Sequence, residues 1–139
     1  MGAVRMELHT FLRQGCLVVQ MPPEVDIGNA EPLQRALREM CRTLLDRASR
    51  DGVSAVVVDW AEAPFLTMAG VAVLDDFRQR VDESGVPLRL VASHRAARAV
   101  LHIVGRNDVL TIHGTVEQAL AGGRISGEDR GRPEIGRTS

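Results

Sequence analysis

The sequence predicts an α/β fold in which four or so helices pack on a mixed β-sheet. Strand-like and helix-like segments alternate along most of the chain, in the order β-β-α-β-α-β-α-β-α, which is typical of a mostly parallel sheet covered by helices. Residues 53–58 are almost all apolar and β-branched, which indicates a strand buried on both faces. An opening pair of strands makes the sheet mixed, and the length of 139 residues fits one domain.

The first two strands are predicted to form a hairpin. Apolar and polar residues alternate over residues 4–10, which predicts a strand with one solvent-exposed face. A turn is expected at residues 13–15, and a second strand at residues 16–21. Pro22 and Pro23 end this strand because proline has no N–H group to donate to a neighbouring strand.

A long amphipathic helix is predicted next, from an N-cap at Asn29 to about Ser49. Asn is a favoured N-cap residue, and Pro32 suits the first helical turn. Apolar residues then recur at spacings of three and four, with charged residues between them, so one face of the helix is expected to be buried. Asp51-Gly52 is the expected exit from the helix.

The remaining elements continue the alternation. A second helix is predicted from Gly70 to Ser84-Gly85, with an inward face formed by Val71, Leu74, Phe77 and Val81. A strand is predicted at residues 86–91. A third helix is expected between a cap at Ser93 and an end at Gly105. A short strand at residues 110–113 and a helix at residues 115–120, capped by Thr115, complete the order.

The end of the chain differs in composition from the rest. Residues 122–139 contain five Gly and four Arg, and Ile125 and Ile135 are their only large apolar residues. So little apolar surface cannot offset the entropy lost on ordering the chain. The sequence therefore predicts a domain over residues 1–121 and a disordered tail over residues 122–139.

Composition and motifs argue against several classes of function. A net charge of −1 and an aromatic content of 3% disfavour a nucleic-acid binder. All 17 basic residues are Arg, which excludes chemistry that needs a lysine amine. Cys16 and Cys41 lie in apolar segments and are expected to be buried thiols. With no signal peptide and no membrane-spanning stretch, the protein is expected to be cytoplasmic and not inserted in a membrane.

Motifs for catalysis, cofactors and metals are missing from the sequence. It has no phosphate-binding glycine loop and no GxSxG nucleophile turn. His94 and His102 are eight residues apart, whereas helical metal ligands usually lie four apart. The adjacent Asp75 and Asp76 are expected to be solvated surface residues rather than a catalytic pair. The sequence thus predicts a protein that is not an enzyme and uses no cofactor or metal.

Several short segments are informative through their order and spacing. Pro23-Glu24-Val25-Asp26 follows the second predicted strand, and Phe65 to Val71 joins the buried strand to the second helix. The others are Val56-Val57-Val58-Asp59, Leu88-Arg89-Leu90-Val91, and Val100-Leu101 with Gly105. Together, over about residues 4–121, they resemble the STAS domain of bacterial anti-sigma-factor antagonists, in which a Gly-x-Leu-Asp turn follows the second strand.

The resemblance implies a regulatory function without catalysis. An antagonist of this family binds an anti-sigma factor, which is also a serine kinase, and thereby frees the sigma factor. The kinase phosphorylates the first serine of an Asp-Ser-Ser-Gly motif at the start of the second helix, and a phosphatase reverses this step. Negative charge placed in the packed interface weakens binding through repulsion and desolvation.

This chain departs from the family at that motif. Thr67 stands at the Asp position, Met68 at the phosphoacceptor, and Ala69 at the second serine, so that only Gly70 matches. Met68 has no hydroxyl and cannot be phosphorylated. Thr67 is the nearest hydroxyl and the candidate substitute acceptor.

The resemblance also implies where a partner binds. The expected surface comprises the loop around Asp26, the turn from Thr67 to Gly70, and an exposed helix face near Val71, Asp75 and Arg78, where Met68 supplies an adaptable apolar contact. Two alternatives remain open: a STAS subunit of a larger assembly, such as a lipid-transport or stress-signalling complex, and a STAS domain that senses a small ligand. Homodimer formation is also left open.

Overall fold

One five-stranded mixed sheet forms the framework of the computed structural model, which describes residues 8–45, 52–105 and 110–125. The strands lie in sequence order across the sheet. The first pair is antiparallel and the other three pairs are parallel, which confirms the predicted mixed sheet. The strands are β1 (His9–Arg13), β2 (Cys16–Gln20), β3 (Ala55–Asp59), β4 (Leu88–Val91) and β5 (Thr111–His113).

Within the described ranges, four α-helices pack on this sheet: α1 (Ile27–Met40), α2 (Met68–Glu83), α3 (Arg95–Ile103) and α4 (Val116–Ile125). The first three helices share one core with one face of the sheet, in which Leu37, Phe77 and Leu101 are fully buried. Helix α4 covers the other face, where Leu120 packs in a second cluster. None of the helices in the described part of the chain is long and apolar enough to cross a bilayer.

Strand β3 occupies the middle of the sheet, as its composition predicts. Ala55, Val56, Val57 and Val58 are all 0% exposed. Val56 and Val58 contribute to the three-helix core, whereas Ala55 and Val57 contribute to the cluster beneath α4. This division follows from the alternation of side chains along a strand and confirms that the strand is buried on both faces.

The first strand is shifted along the chain relative to the prediction. It covers His9–Arg13 rather than residues 4–10, and residues 4–7 lie outside the described ranges. Arg13 pairs with Cys16 as the last pair of the ladder, so only Gln14 and Gly15 form the turn. Both have positive φ, 54° and 80°, as a tight hairpin turn requires. The position of this turn sets the register of the hairpin.

Helix α1 begins earlier than predicted because Asp26, not Asn29, is its N-cap. The Asp26 carboxylate accepts hydrogen bonds from the N–H groups of Gly28, at 2.9 Å, and Asn29, at 3.2 Å. In return the Asn29 side-chain oxygen accepts from the Asp26 N–H at 2.9 Å, which completes a capping box. Pro32 consequently lies inside the helix. A π-helical segment, Cys41–Leu45, continues α1, and the predicted end near Ser49 lies outside the described residues.

Three other predicted boundaries are corrected. Helix α2 starts at Met68 rather than Gly70. His94 is the N-cap of α3, because the Ser93 hydroxyl donates instead to the Gly114 carbonyl at 2.6 Å. Helix α4 continues to Ile125 rather than Leu120, so the first four residues of the predicted tail are helical. Residues 126–139 lie outside the described part of the chain.

The two cysteines differ in burial. Cys16 is buried, as expected, but Cys41 is only partly buried. Burial is still the largest influence on Cys41 and raises the pKa of its thiol to about 11. The thiol is therefore protonated at neutral pH and unreactive as a nucleophile.

Candidate functional site

Two helix N-termini meet at one edge of the sheet. Helix α1 follows β2 and helix α2 follows β3, and these two strands are parallel neighbours. The carboxyl ends of parallel strands lie at the same edge of a sheet, where binding sites of α/β proteins commonly form. The loops before the two helices therefore bring Asp26 and Thr67 to the same place.

The Thr67 hydroxyl joins these two loops. It donates a hydrogen bond to the Val25 carbonyl and accepts one from the Gly70 N–H at 3.0 Å. The second bond makes Thr67 the N-cap of α2. One hydroxyl thus caps α2 and fixes the segment that leads into α1.

Trp60 and Gly70 pack against this junction between the loops that precede α1 and α2. The Trp60 side chain is 1% exposed, and its indole N–H donates to the Pro22 carbonyl at 2.8 Å. A Cβ atom placed on Gly70 would lie 3.5 Å from atoms of Trp60, Thr67 and Val25. Gly70 is therefore packed within the junction, where a Cβ atom would make ordinary van der Waals contacts.

An ion pair also holds α1 against α2. The Arg38 guanidinium donates two hydrogen bonds to the Asp76 carboxylate, each 3.2 Å long, and Arg80 donates a third at 3.1 Å. The hydrogen bond from Arg38 is the main cause that lowers the pKa of Asp76. The expectation that Asp76 is a solvated surface residue is therefore wrong: its side chain, only 20% exposed, bridges two helices.

An exposed apolar surface lies above the junction. Ile27 and Met68, the first residues of α1 and α2, are 91% and 65% exposed. They flank a groove, here called the interhelix groove, which is lined by Asp26, Ile27, Gly28, Thr67, Met68 and Ala69. Phe65, 50% exposed, lies in the loop before α2. Clustered exposed apolar side chains of this kind mark sites of protein association.

The structure brings together only part of the predicted site. Asp26, Thr67, Met68 and Ala69 all line the interhelix groove. Val71 is 1% exposed and belongs to the core, which confirms its predicted inward position from the helical spacing; the expectation from the family resemblance that it lies near an exposed helix face is wrong. Gly70 is buried as well.

Two further predicted residues, Asp75 and Arg78, lie farther along α2 and line none of the groove. Both are partly buried. Arg78 pairs with Asp82 at 2.9 Å, while its Nε atom is buried without a hydrogen-bond partner among the described residues. Sequence reasoning missed Ile27, which it placed in a loop. The signal that identifies it is the spacing of Asp26 and Asn29, which fits a capping box and puts Ile27 at the first helical position.

Among the residues that the structure describes, the groove contains no recognisable catalytic or metal centre. Its lining side chains include one carboxylate and one hydroxyl, and both already form hydrogen bonds to backbone groups. Over residues 8–45, 52–105 and 110–125, no group of three His, Cys, Asp or Glu side chains is placed to hold a metal ion. The arrangement is suited to packing against another protein.

Removing the Thr67 hydroxyl tests its role in the junction. We expect Thr67→Val to lower the free energy of unfolding by about 1–3 kcal/mol, because the Val25 carbonyl and the Gly70 N–H both lose a partner. Thr67→Ser retains the hydroxyl and should stay within about 1 kcal/mol of the wild type. Urea unfolding followed by circular dichroism measures both variants. Equal stabilities for the two variants would show that the hydroxyl does not hold the junction.

Sequence comparison identifies relatives over most of the chain. The family model for the STAS domain matches residues 10–119. The anti-sigma-F factor antagonist RsfA of Mycobacterium tuberculosis is 29% identical over 105 residues, which span 76% of this chain and 77% of RsfA.

Solved structures show the same fold. An anti-sigma factor antagonist from Mycobacterium paratuberculosis superposes with a TM-score of 0.68 and 22% identity, over 85% of this chain and 93% of that one. An anti-sigma-factor antagonist (STAS) domain protein from Planctomyces limnophilus gives a TM-score of 0.67 and 14% identity, over 84% of this chain and 97% of that one. The predicted order of strands and helices agrees with this architecture.

Proposed function

The chain belongs to the STAS domain family, and from this premise we propose that it is an anti-sigma-factor antagonist without a phosphorylation switch at the start of α2. It binds an anti-sigma factor through the interhelix groove and so releases a sigma factor. The similarity to RsfA, named an anti-sigma-F factor antagonist, supports the class of partner. The observation that carries the proposal is the exposed apolar pair Ile27 and Met68 beside the groove.

The apolar pair favours tight association. Full burial of an Ile or Met side chain contributes about 1.5–3 kcal/mol, and both side chains are largely exposed in the free protein. Methionine is flexible and polarisable, which lets it fit an irregular partner surface. The partner face that fits this groove is an apolar hollow that accepts the starts of two helices.

The same geometry supports the absence of a phosphorylation switch. Met68 occupies the position of the family's phosphoacceptor and has no hydroxyl. The Thr67 hydroxyl already takes part in two hydrogen bonds, and its phosphorylation would break the bond it donates to Val25. In this proposal the partner is a serine-kinase-like protein of the cytoplasm, and the chain itself has no catalytic activity.

The proposal is tested by capture of the partner and by release of sigma factor. We expect the immobilised chain to retain from its native cell extract a protein with a kinase-like ATP-binding fold. Adding the chain to a purified complex of that protein with sigma factor should restore sigma-dependent transcription. During incubation with the partner and ATP, the intact mass of the chain should not change, because Met68 accepts no phosphate.

Three outcomes would contradict parts of this proposal. Recovery of a membrane transporter in place of a kinase-like protein would favour the role of a subunit in a larger assembly. Failure to restore transcription would reject the antagonist role. A gain of one phosphate mapped to Thr67 would show that the switch persists one residue before its usual position.

A further inference from the structure

Helix α3 presents a basic surface to solvent. Arg95, Arg98 and His102 are all exposed, and the nine residues of the helix contain no Asp or Glu. Neither arginine pairs with a carboxylate within the described ranges. By contrast, α1 and α2 neutralise most of their arginines through ion pairs such as Arg38 with Asp76. Among the described residues, no carboxylate therefore neutralises the charge of Arg95 or Arg98.

A groove runs between this basic surface and strand β5. Leu110, which is only 7% exposed, and the partly buried Ile112 form an apolar floor, and Arg98 and His102 form the wall. The groove continues past Arg98 and His102 into an adjoining space that is also lined by Ser93, Arg95 and Ala99. This α3–β5 groove thus combines an apolar floor with basic groups along one side. It shares no lining residue with the interhelix groove.

Strand β5 is the last strand of the sheet. Among the described strands only β4 pairs with it, so its outer edge has backbone groups that no described strand satisfies. An exposed sheet edge is a common template for an extended peptide, which gains main-chain hydrogen bonds there. The edge therefore favours an extended occupant over a helical one.

We propose that the α3–β5 groove binds an acidic, extended segment of a partner protein. We expect the carboxylates of such a segment to face Arg95 and Arg98, and its apolar residues to contact Ile112, which is only partly buried. Arginine binds carboxylates through two parallel hydrogen bonds, and complementary charge speeds association and selects the partner. A nucleic acid fits less well, because the floor is apolar and Leu110 and Ile112 offer no aromatic surface on which a base can stack.

This surface is separate from the proposed anti-sigma-factor site. The interhelix groove lies beyond the ends of β2 and β3, whereas the α3–β5 groove lies beside β4 and β5 at the far side of the sheet. Both grooves can therefore be occupied at once. The acidic segment would bind whether or not the anti-sigma factor is present.

The test uses the full chain and a fluorescent peptide of alternating Glu and Val. We expect the double variant Arg95→Glu/Arg98→Glu to weaken binding of this peptide by about tenfold or more. Arg35→Glu is the matched control: Arg35 lies on α1, its side chain is 53% exposed, and its replacement should leave binding unchanged. A peptide of alternating Lys and Val should not bind. In ¹⁵N-labelled protein, amide shifts should change along α3 and β5.

Any of four other outcomes of these experiments would overturn the proposal. One is the absence of peptide binding at about millimolar concentration, at which binding with a free energy of only about −4 kcal/mol would still be detected. Another is equal weakening by the Arg35→Glu control, which would mean only a general charge effect. Shift changes confined to the interhelix groove would place the peptide at the other site. Tighter binding of a single-stranded oligonucleotide at the same groove would assign the surface to nucleic acid.

Discussion

Replacement of Ile27 and Met68 by glutamate in one double variant is expected to weaken binding of the anti-sigma factor by at least a hundredfold. Each apolar side chain buried at an interface contributes about 1.5–3 kcal/mol, so loss of both removes about 3–6 kcal/mol. The two carboxylates add a desolvation penalty when they are buried. Isothermal titration calorimetry with the purified anti-sigma factor measures the effect.

The fold should not change, which makes the loss specific to binding. Ile27 and Met68 are 91% and 65% exposed, and each is the first residue of its helix. A carboxylate in the first turn of a helix interacts favourably with the helix dipole. Thermal unfolding of the double variant should therefore stay within a few degrees of the wild type.

Leu12→Glu provides a matched control for this variant. Leu12 is 67% exposed but lies on the edge strand β1, away from both helix N-termini. The Leu12→Glu substitution also replaces an exposed apolar side chain by a carboxylate, and it should leave the affinity for the anti-sigma factor unchanged. Met68→Leu keeps the apolar contact and should also preserve binding. Wild-type affinity in the double variant, or an equal loss in Leu12→Glu, would move the interface away from the interhelix groove.

The sequence predicts the fold well where a pattern depends on burial alone. The run of apolar residues in β3 required a strand covered on both faces, and Ala55 to Val58 are fully buried. The spacing of Leu74, Phe77 and Val81 predicted the inner face of α2, and all three are 0% exposed. In these segments, the free energy gained by burying apolar side chains outweighs the local conformational preferences of the residues.

The starts of the helices were less predictable because several residues can cap a helix equally well. The side chain of Asn29 is as good an N-cap as that of Asp26. Which of the two becomes the N-cap depends on where the end of the preceding strand places the chain. Thr67 caps α2 while also donating to Val25, a residue 42 positions earlier in the chain. A contact of such long range leaves no signal in the local sequence. The position of Ile27 beside Met68 depends on the same contact between the two loops, although the capping-box spacing of Asp26 and Asn29 does indicate that Ile27 begins α1.

The α3–β5 groove shows a similar limit. The basic composition of α3 is evident from the sequence, but its apolar floor comes from Leu110 and Ile112, whose placement depends on the pairing of β5 with β4. Sequence reasoning found the strand and the helix separately. Only the assembled sheet places the basic side chains beside Leu110 and Ile112.

Met68→Ser is expected to turn an unregulated antagonist into one that ATP regulates. The hydroxyl would stand at the first position of α2, where the family has its phosphoacceptor and where free N–H groups and the helix dipole stabilise a phosphate. Because Met68 is 65% exposed, the substitution should change the free energy of unfolding by only about 0.5 kcal/mol. The neighbouring cap is retained, since Thr67 still accepts a hydrogen bond from Gly70.

The expected result is a gain of one phosphate on Ser at position 68 after incubation with the anti-sigma factor and ATP. The phosphate would place about two negative charges in the interhelix groove, as the glutamates of the double variant do. ATP should therefore weaken binding of Met68→Ser by about tenfold or more and leave the wild type unchanged. Intact-mass measurement and calorimetry with and without ATP measure the two effects.

Two control variants separate the possible causes of the outcome. Ala69→Ser introduces a hydroxyl one residue later, at the family's second serine, and should gain no phosphate. Thr67→Asp combined with Met68→Ser restores the family's acidic residue before the acceptor. If only this combined variant is phosphorylated, Thr67 is what prevents recognition by the kinase. Absence of phosphate in both Met68→Ser and the combined variant would reject the kinase relationship for this partner. Phosphorylation of either variant without loss of binding would support the kinase relationship but exclude the start of α2 from the interface.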